Sequence, residues 1–303
     1  MTDAIRIVEV GPRDGLQNEK PPIPTEMKLR YIQALVQAGI YDIEATSFVS
    51  PKWVPQLADA ADLWPLLPHG ADFSALVPNA KGLERALALG IDRIALFTAA
   101  SDAFTQHNVN MTVDQTLETF AQVIETFRAS KPNGWVRGYV STAFECPYAG
   151  RIDPQRTVEV SERLFALGID EISIGDTIGV AVPIEVKVLT KLLENALPMD
   201  KIAYHFHDTR GTAIANVAQA LDLGIRIFDA SAGGLGGCPY APGAGGNLAT
   251  EDLVYFLERS GKSTGIDQKK LAIASLEILG YLGRSPSAKG QLAQLSASET
   301  SPK

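Results

Sequence analysis

Ala166-Leu167-Gly168-Ile169-Asp170-Glu171-Ile172-Ser173-Ile174-Gly175-Asp176 reads as a helix end, a glycine turn and a buried strand that stops on a carboxylate. Its opening phrase recurs as Gln37-Ala38-Gly39-Ile40, Ala88-Leu89-Gly90-Ile91 and Asp222-Leu223-Gly224-Ile225. In each copy the glycine falls where a helix ends and a left-handed residue is wanted. The isoleucine then starts the return to a sheet. Short apolar runs predict eight strands, over residues 5–10, 41–46, 72–77, 93–98, 136–142, 171–176, 201–207 and 226–230. Between them, stretches such as 27–38 (Leu29, Ile32, Leu35, Val36) and 116–127 (Leu117, Phe120, Val123, Ile124, Phe127) carry helical periodicity. The repeated phrase precedes strands two, four, six and eight. Eight alternating βα units predict an α/β fold closed as a TIM barrel. An open doubly wound sheet would want a Gly-rich turn after strand one, where Gly11-Pro12-Arg13-Asp14-Gly15 stands instead. The glycines of 233–246 form no clean GxGxxG and come at the wrong end of the chain.

One domain is expected over residues 1–303, with the barrel at about 5–258 and extra helices at about 259–284. The Ser-, Ala- and Gln-rich tail at 285–303, with Pro286 and Pro302, is expected to fray. Apolar residues make up 46% of the chain and charged residues 20%, enough for a sizeable core. The net charge of −8 argues against nucleic acid and membrane surfaces as partners. Two cysteines make no disulfide framework. The N-terminus shows no leader pattern and no apolar run reaches membrane length, so a cytoplasmic protein is expected.

The active end of such a barrel lies at the C-terminal ends of its strands, and the unusual polar residues collect there. Arg13 and Asp14 follow strand one; Glu44, Thr46 and Ser47 end strand two. Strand six ends in Asp176-Thr177, strand seven in His205-Phe206-His207-Asp208, and Cys238 and Asn247 follow strand eight. His205 and His207 are two apart, so on a strand they point to one face. They are two of only four histidines. With Asp14, and with Asn247 for a further oxygen, they make a mixed nitrogen and oxygen site. That site suits Mg²⁺ or Mn²⁺ better than structural zinc, with a two-His, one-carboxylate zinc site as the alternative. Cys238 sits among glycines on the active end and reads as a reactive thiol. Cys146 reads as structural or pocket-lining. The segment 99–112 reads as a solvated loop with an incidental His107.

Several stretches resemble the 3-hydroxy-3-methylglutaryl-CoA lyase family. They are Val8-Glu9-Val10-Gly11-Pro12-Arg13-Asp14-Gly15-Leu16-Gln17-Asn18-Glu19-Lys20, Glu44-Ala45-Thr46-Ser47-Phe48-Val49-Ser50-Pro51-Lys52-Trp53, Gly175-Asp176-Thr177-Ile178-Gly179, His205-Phe206-His207-Asp208-Thr209, Gly234-Leu235-Gly236-Gly237-Cys238-Pro239-Tyr240-Ala241 and Asn247-Leu248-Ala249-Thr250-Glu251-Asp252. The resemblance covers about residues 5–280. It implies a metal-dependent retro-Claisen lyase that splits 3-hydroxy-3-methylglutaryl-CoA into acetyl-CoA and acetoacetate, as in leucine breakdown. It implies Asp14, His205, His207 and Asn247 as ligands of Mg²⁺ or Mn²⁺. It implies Arg13 as the group that stabilises the enolate, Cys238 as the acid that protonates it, and Asp14 or His205 as the route for the hydroxyl proton. Glu44, Asp176 and Glu251 match acidic residues that orient Arg13 and the ligands. Lys20 and Ser47 are carried over as substrate-binding, and a homodimer is the family expectation.

The sequence departs from the family pattern at Arg210, where an aromatic residue is expected, at Glu145 and at Pro242. Glu145 near a strand end points to an altered acyl pocket, and so to a longer-branched 3-hydroxyglutaryl-CoA as the alternative substrate. A Claisen-condensing synthase of the same superfamily is a further alternative, though such chains usually carry a long C-terminal domain and lack the Cys238 loop. Metal-dependent hydrolase barrels place their His-x-His after strand one, not strand seven. A non-catalytic binding protein is disfavoured because Arg13, Asp14, His205, His207, Cys238 and Asn247 are all present.

Overall fold

The computed structural model describes residues 4–237 and 246–299. Among the described residues ten strands run in chain order: β1 Arg6–Glu9, β2 Asp42–Ser47, β3 Asp72–Leu76, β4 Arg93–Ala99, β5 Trp135–Ser141, β6 Glu145–Cys146, β7 Gly150–Arg151, β8 Glu171–Asp176, β9 Ile202–Phe206 and β10 Ile227–Ala230. Eight of them close a parallel barrel in the order β1-β10-β9-β8-β5-β4-β3-β2, with Glu9 opposite Ile43 completing the ring. These are the eight expected strands, with ends moved by a residue or two. β6 and β7 form a separate antiparallel hairpin.

The repeated glycines do what the phrase predicted. Gly39, Gly90, Gly168 and Gly224 all have positive φ, between 76° and 98°. The following isoleucine N–H reaches back to the helix, Ile40 to Leu35 O at 3.1 Å and Ile225 to Ala220 O at 3.0 Å. Orphaned carbonyls at the helix end are thereby satisfied as the chain turns toward the barrel.

Strand side chains alternate between two environments. One set joins the main core between barrel and helices, as Ile43, Ile94, Val136, Ile172 and Phe228 do. The other set makes small separate clusters, Val8-Val10-Ala203-Ile227 and Leu76-Ala95-Tyr139. His205 and Arg137 lie two residues from Ala203 and Tyr139, on the same inward face. At the N-terminal end of the barrel Arg6 pairs with Asp42 and Glu171, and Arg93 lies 4.1 Å from the Trp135 ring centroid. Charged groups at that end hold strand starts together.

Two expectations change. The segment 99–112 is not an open loop: it holds a helix, Asp102–Val109, capped by the Ser101 hydroxyl and closed by Asn110 at φ 56°. Its apolar periodicity is weak, and capping chemistry decides it. His107 is exposed there and stacks on Tyr148 with ring centroids 4.0 Å apart. The tail expected to fray carries the helix Lys289–Glu299. Gln291 is buried in it and donates to Ala272 O and Ser275 Oγ, both at 2.9 Å. Polar anchoring of this kind leaves no hydrophobic periodicity to read. Among the described residues no helix is long and apolar enough to cross a membrane.

Gln291→Ala is expected to lower stability by about 1–2 kcal/mol, because two buried hydrogen bonds go and their acceptors stay buried. Equilibrium denaturation measures this; an unchanged midpoint would mean the helix is not docked.

Candidate active site

β1 ends in a π-helical turn, Gly11–Gly15. One carbonyl, that of Val10, accepts from the N–H groups of Arg13 (3.2 Å), Asp14 (2.7 Å) and Gly15 (3.2 Å). Wide turns of this kind often mark functional sites, because they re-aim consecutive side chains. Glycine is required at position 11: an added Cβ would lie 2.3 Å from Tyr31 Oη and 2.5 Å from Glu9 Oε1. The turn directs Arg13 and Asp14 toward the barrel mouth.

There Asp14, His205 and His207 offer ligand atoms that all lie within 4.8 Å of one another. Asn247 stands beside them, bridged to His207 through the backbone. Its amide nitrogen donates to Asp14 Oδ2 at 2.9 Å and to Leu235 O at 3.0 Å. Both N–H bonds are thus used, and among the described residues Oδ1 is a buried acceptor with no hydrogen-bond partner. Nδ1 of His207 is likewise buried and without a hydrogen-bond partner. Buried polar atoms normally find partners, so these two fit a bound cation. Burial, reinforced by His205 and opposed by Asp14, holds His207 down to about 3, so it is a neutral imidazole able to ligate. Burial would raise Asp14, but the Arg13 charge, chief among the lowering causes, and the hydrogen bond from Asn247 help outweigh it and hold the carboxyl below its usual range. Two nitrogens and two oxygens without a thiolate suit a hard or borderline divalent ion.

Arg13 is buried beside this cluster. Its Nε donates to Glu44 Oε1 and its guanidinium to Asp14 Oδ1 at 2.7 Å. Burial opposes its charge, and Glu44 and Asp14 more than restore it, moving its pKa upward. Glu44, fully buried, also accepts from the Tyr139 hydroxyl at 2.8 Å. Gln17 donates to the same Asp14 oxygen as Arg13, at 2.8 Å.

The remaining expected residues sit differently. Asp176 accepts from the backbone N–H of Val180 (3.0 Å) and Ala181 (2.9 Å), so it shapes the loop after β8 rather than Arg13. Burial raises it to about 6. Glu251 lies behind the mouth, taking the Gly233 N–H on both oxygens at 2.9 Å. Ser47 accepts from Val49 N–H at 3.1 Å and tightens the turn after β2. Lys20 is exposed beyond the π turn. Cys238 and Pro242 lie outside the described residues, flanked by Gly237, whose carbonyl takes the Asn18 amide at 3.2 Å, and by Asn247. Cys146 is a buried free thiol that accepts from Ser101 Oγ at 3.1 Å. Glu145 is half-buried in the hairpin that follows β5, opposite Arg151, rather than on a barrel strand itself. Arg210 donates to the carbonyls of Ile178 and Gly179, both at 3.0 Å.

Sequence reasoning missed Glu9, Arg137, Tyr139 and Asp229. Glu9 is fully buried and accepts from Gly11 N (2.8 Å), Ala232 N (3.0 Å) and Thr250 Oγ1 (2.6 Å). It ties the π turn to the loop after β10. Asp229 takes Arg137 at 2.6 Å and lies 3.3 Å from His205 Nδ1. For Glu9, Arg137 and Asp229 the available signal was a charge inside an otherwise apolar strand; Tyr139 offered no such signal.

A carboxylate and two imidazoles beside a buried arginine, at the C-terminal mouth of a parallel barrel, make a TIM-barrel enzyme with a candidate metal centre. The model of the HMGL-like family matches residues 4–277, and the chain belongs to that family. The mitochondrial hydroxymethylglutaryl-CoA lyase of Bos taurus is 46% identical over 94% of this chain and 88% of that protein. The crystal structure of hydroxymethylglutaryl-CoA lyase from Pseudomonas aeruginosa superposes with a TM-score of 0.93 at 44% identity, covering 97% of this chain and 98% of that one. An HMG-CoA lyase from Acinetobacter baumannii, in complex with coenzyme A and 3-methylmalate, gives 0.91 at 37% identity over 99% and 98%.

Burial raises Glu251 to about 8, and nearby Glu9 adds to the shift. A carboxyl with a raised pKa in the fold stabilises it at low pH and loses that contribution as pH rises through the folded value. The stability of wild type relative to Glu251→Gln is therefore expected to fall between about pH 5 and about pH 9. Urea titrations at both pH values test this; a constant difference would mean that Glu251 is ionised throughout.

Proposed function

We propose that this protein cleaves 3-hydroxy-3-methylglutaryl-CoA into acetyl-CoA and acetoacetate. The observation that carries the reading is the Asp14-His205-His207 cluster with Arg13 hydrogen-bonded to one of its members. Asp14, His205, His207 and Asn247 would hold Mg²⁺ or Mn²⁺. When bound, such an ion orients an oxygen-rich acyl group and acidifies its hydroxyl.

The chain's own residues supply the rest. Cleavage breaks the bond between C2 and C3 of the acyl group, as the hydroxyl proton leaves and C3 becomes the ketone of acetoacetate. The hydroxyl proton leaves toward the Asp14-His205 side of the site. The electron pair passes to the thioester as an enolate. Arg13, fixed by Glu44 and Asp14, presents a delocalised cation to that developing charge. Its geometry is set before substrate arrives, so little reorganisation is needed at the moment of reaction. We assign the final protonation of C2 to the Cys238 thiol, on the glycine-rich segment that Asn18 and Asn247 flank. Lys20, exposed on the same end, would meet the anionic part of the coenzyme. Homodimerisation belongs to this proposal as well.

The test is acetyl-CoA release from 3-hydroxy-3-methylglutaryl-CoA by chelator-stripped protein, with and without added Mg²⁺ or Mn²⁺. Turnover should require the ion. Arg13→Met should lower kcat by at least about 10²–10³-fold, the scale for loss of one preorganised donor to an oxyanion. Full activity in that variant, or no turnover by folded, metal-loaded wild type, would overturn the reading.

A further inference from the structure

Arg137, on β5, is the largest fully buried side chain among the described residues, and its hydrogen-bond and ion-pair partners are Tyr139, Asp229 and Glu171. We propose that it is the positioning residue of this site, aiming Arg13 and His205 together through two separate arms. This inference rests on the lyase reading above.

The first arm runs through Tyr139. Arg137 Nη1 donates to the Tyr139 hydroxyl at 2.8 Å, and that hydroxyl donates to Glu44 Oε2 at 2.8 Å. With one oxygen held by Tyr139, the other oxygen of Glu44 faces Arg13 Nε. Because Arg137 occupies the phenol's acceptor side, the phenolic proton points only to Glu44. The Tyr139 ring also packs between the two guanidinium groups, 5.5 Å from Arg13 and 4.9 Å from Arg137.

The second arm runs through Asp229. Arg137 Nη2 donates to Asp229 Oδ1 at 2.6 Å, while Asp229 Oδ2 accepts from Ser173 Oγ at 2.9 Å and lies 3.3 Å from His205 Nδ1. A carboxylate held there places the imidazole proton on Nδ1 and leaves Nε2 as the ligating nitrogen. Glu171 lies 2.7 Å from Arg137 Nε as a third, electrostatic partner, without a hydrogen bond between those two atoms. One planar fork thus meets three partners on three sides. A lysine ammonium cannot span them.

A merely structural ion pair would stabilise the barrel without affecting Arg13 or His205. The two roles separate when each arm is cut alone. Tyr139→Phe keeps the ring and removes the first link. It is expected to lower kcat about 10–100-fold, as small misplacements of a catalytic group do, with Mn²⁺ affinity within about twofold of wild type. Asp229→Asn cuts the second arm and is expected to weaken Mn²⁺ binding about 10–100-fold. Arg137→Lys is expected to show both losses while remaining folded. Mn²⁺ binding is read by the electron paramagnetic resonance of free ion, titrated into stripped protein without substrate. The Asp229 result therefore stands or falls independently of which thioester is cleaved, whereas failure of wild-type turnover would strike only the substrate reading. Wild-type kcat in Tyr139→Phe together with wild-type Mn²⁺ affinity in Asp229→Asn would overturn the proposal. So would Arg137→Lys behaving as wild type in both measurements.

Discussion

Arg13 is buried against a fully buried Glu44, and much of the interior follows from that pair. Two charges removed from water are stable only when their remaining lone pairs and protons are also satisfied. Glu44 therefore needs Tyr139, and the polar hydroxyl of Tyr139 needs Arg137. The Arg137 charge is in turn balanced by Asp229 and Glu171. Asp229 is held at about 2 despite its burial, chiefly by the Arg137 charge. The result is a barrel whose central layer is an ion-pair ladder rather than the usual stack of branched aliphatics.

Such an interior contributes little to net stability, because desolvation offsets most of the Coulombic attraction. Stability must come from elsewhere, and the main apolar core lies between the strands and the surrounding helices. Two further carboxyls, Glu9 and Glu251, serve the mouth from behind the strands. Burial raises them to about 7 and about 8, and both accept backbone N–H groups of the loop after β10. Neighbouring Tyr31 donates to Ala232 O in the same loop. Irregular backbone at an active end would otherwise carry unsatisfied donors. Here those donors are absorbed by buried acidic side chains.

The fold was legible because it repeats. One Gly-Ile phrase, read four times, marks helix ends that the chain cannot make without a left-handed residue, and Gly39 and Gly168 take that conformation at φ 97° and 89°. The ligand cluster was legible because His205 and His207 obey the two-residue strand period and few other histidines compete. Asp14 and Asn247, far apart in the chain, were reached through the barrel topology, which brings the C-terminal ends of different strands to one mouth, and the resemblance then matched the same residues. Arg137 and Asp229 were passed over because attention to strand ends discards charges at strand centres. The helix Asp102–Val109 and the docked helix Lys289–Glu299 were missed because caps and a buried glutamine hold them, leaving weak apolar patterns.

Asp176 and Glu251 are read most directly through their hydrogen-bond partners. Both are acidic, buried and at the active end, and both have raised pKa values. Those features alone would nominate them as proton-transfer groups. Their oxygens, however, are engaged by backbone N–H donors of the adjoining loops. A carboxyl so engaged fixes loop geometry, and burial is the first cause of its raised pKa. Arg13 differs because its carboxylate partners hold the guanidinium beside the ligand cluster instead of turning it into the fold. Partner identity, more than burial or a shifted pKa, separates the groups that face the chemistry from those that frame it.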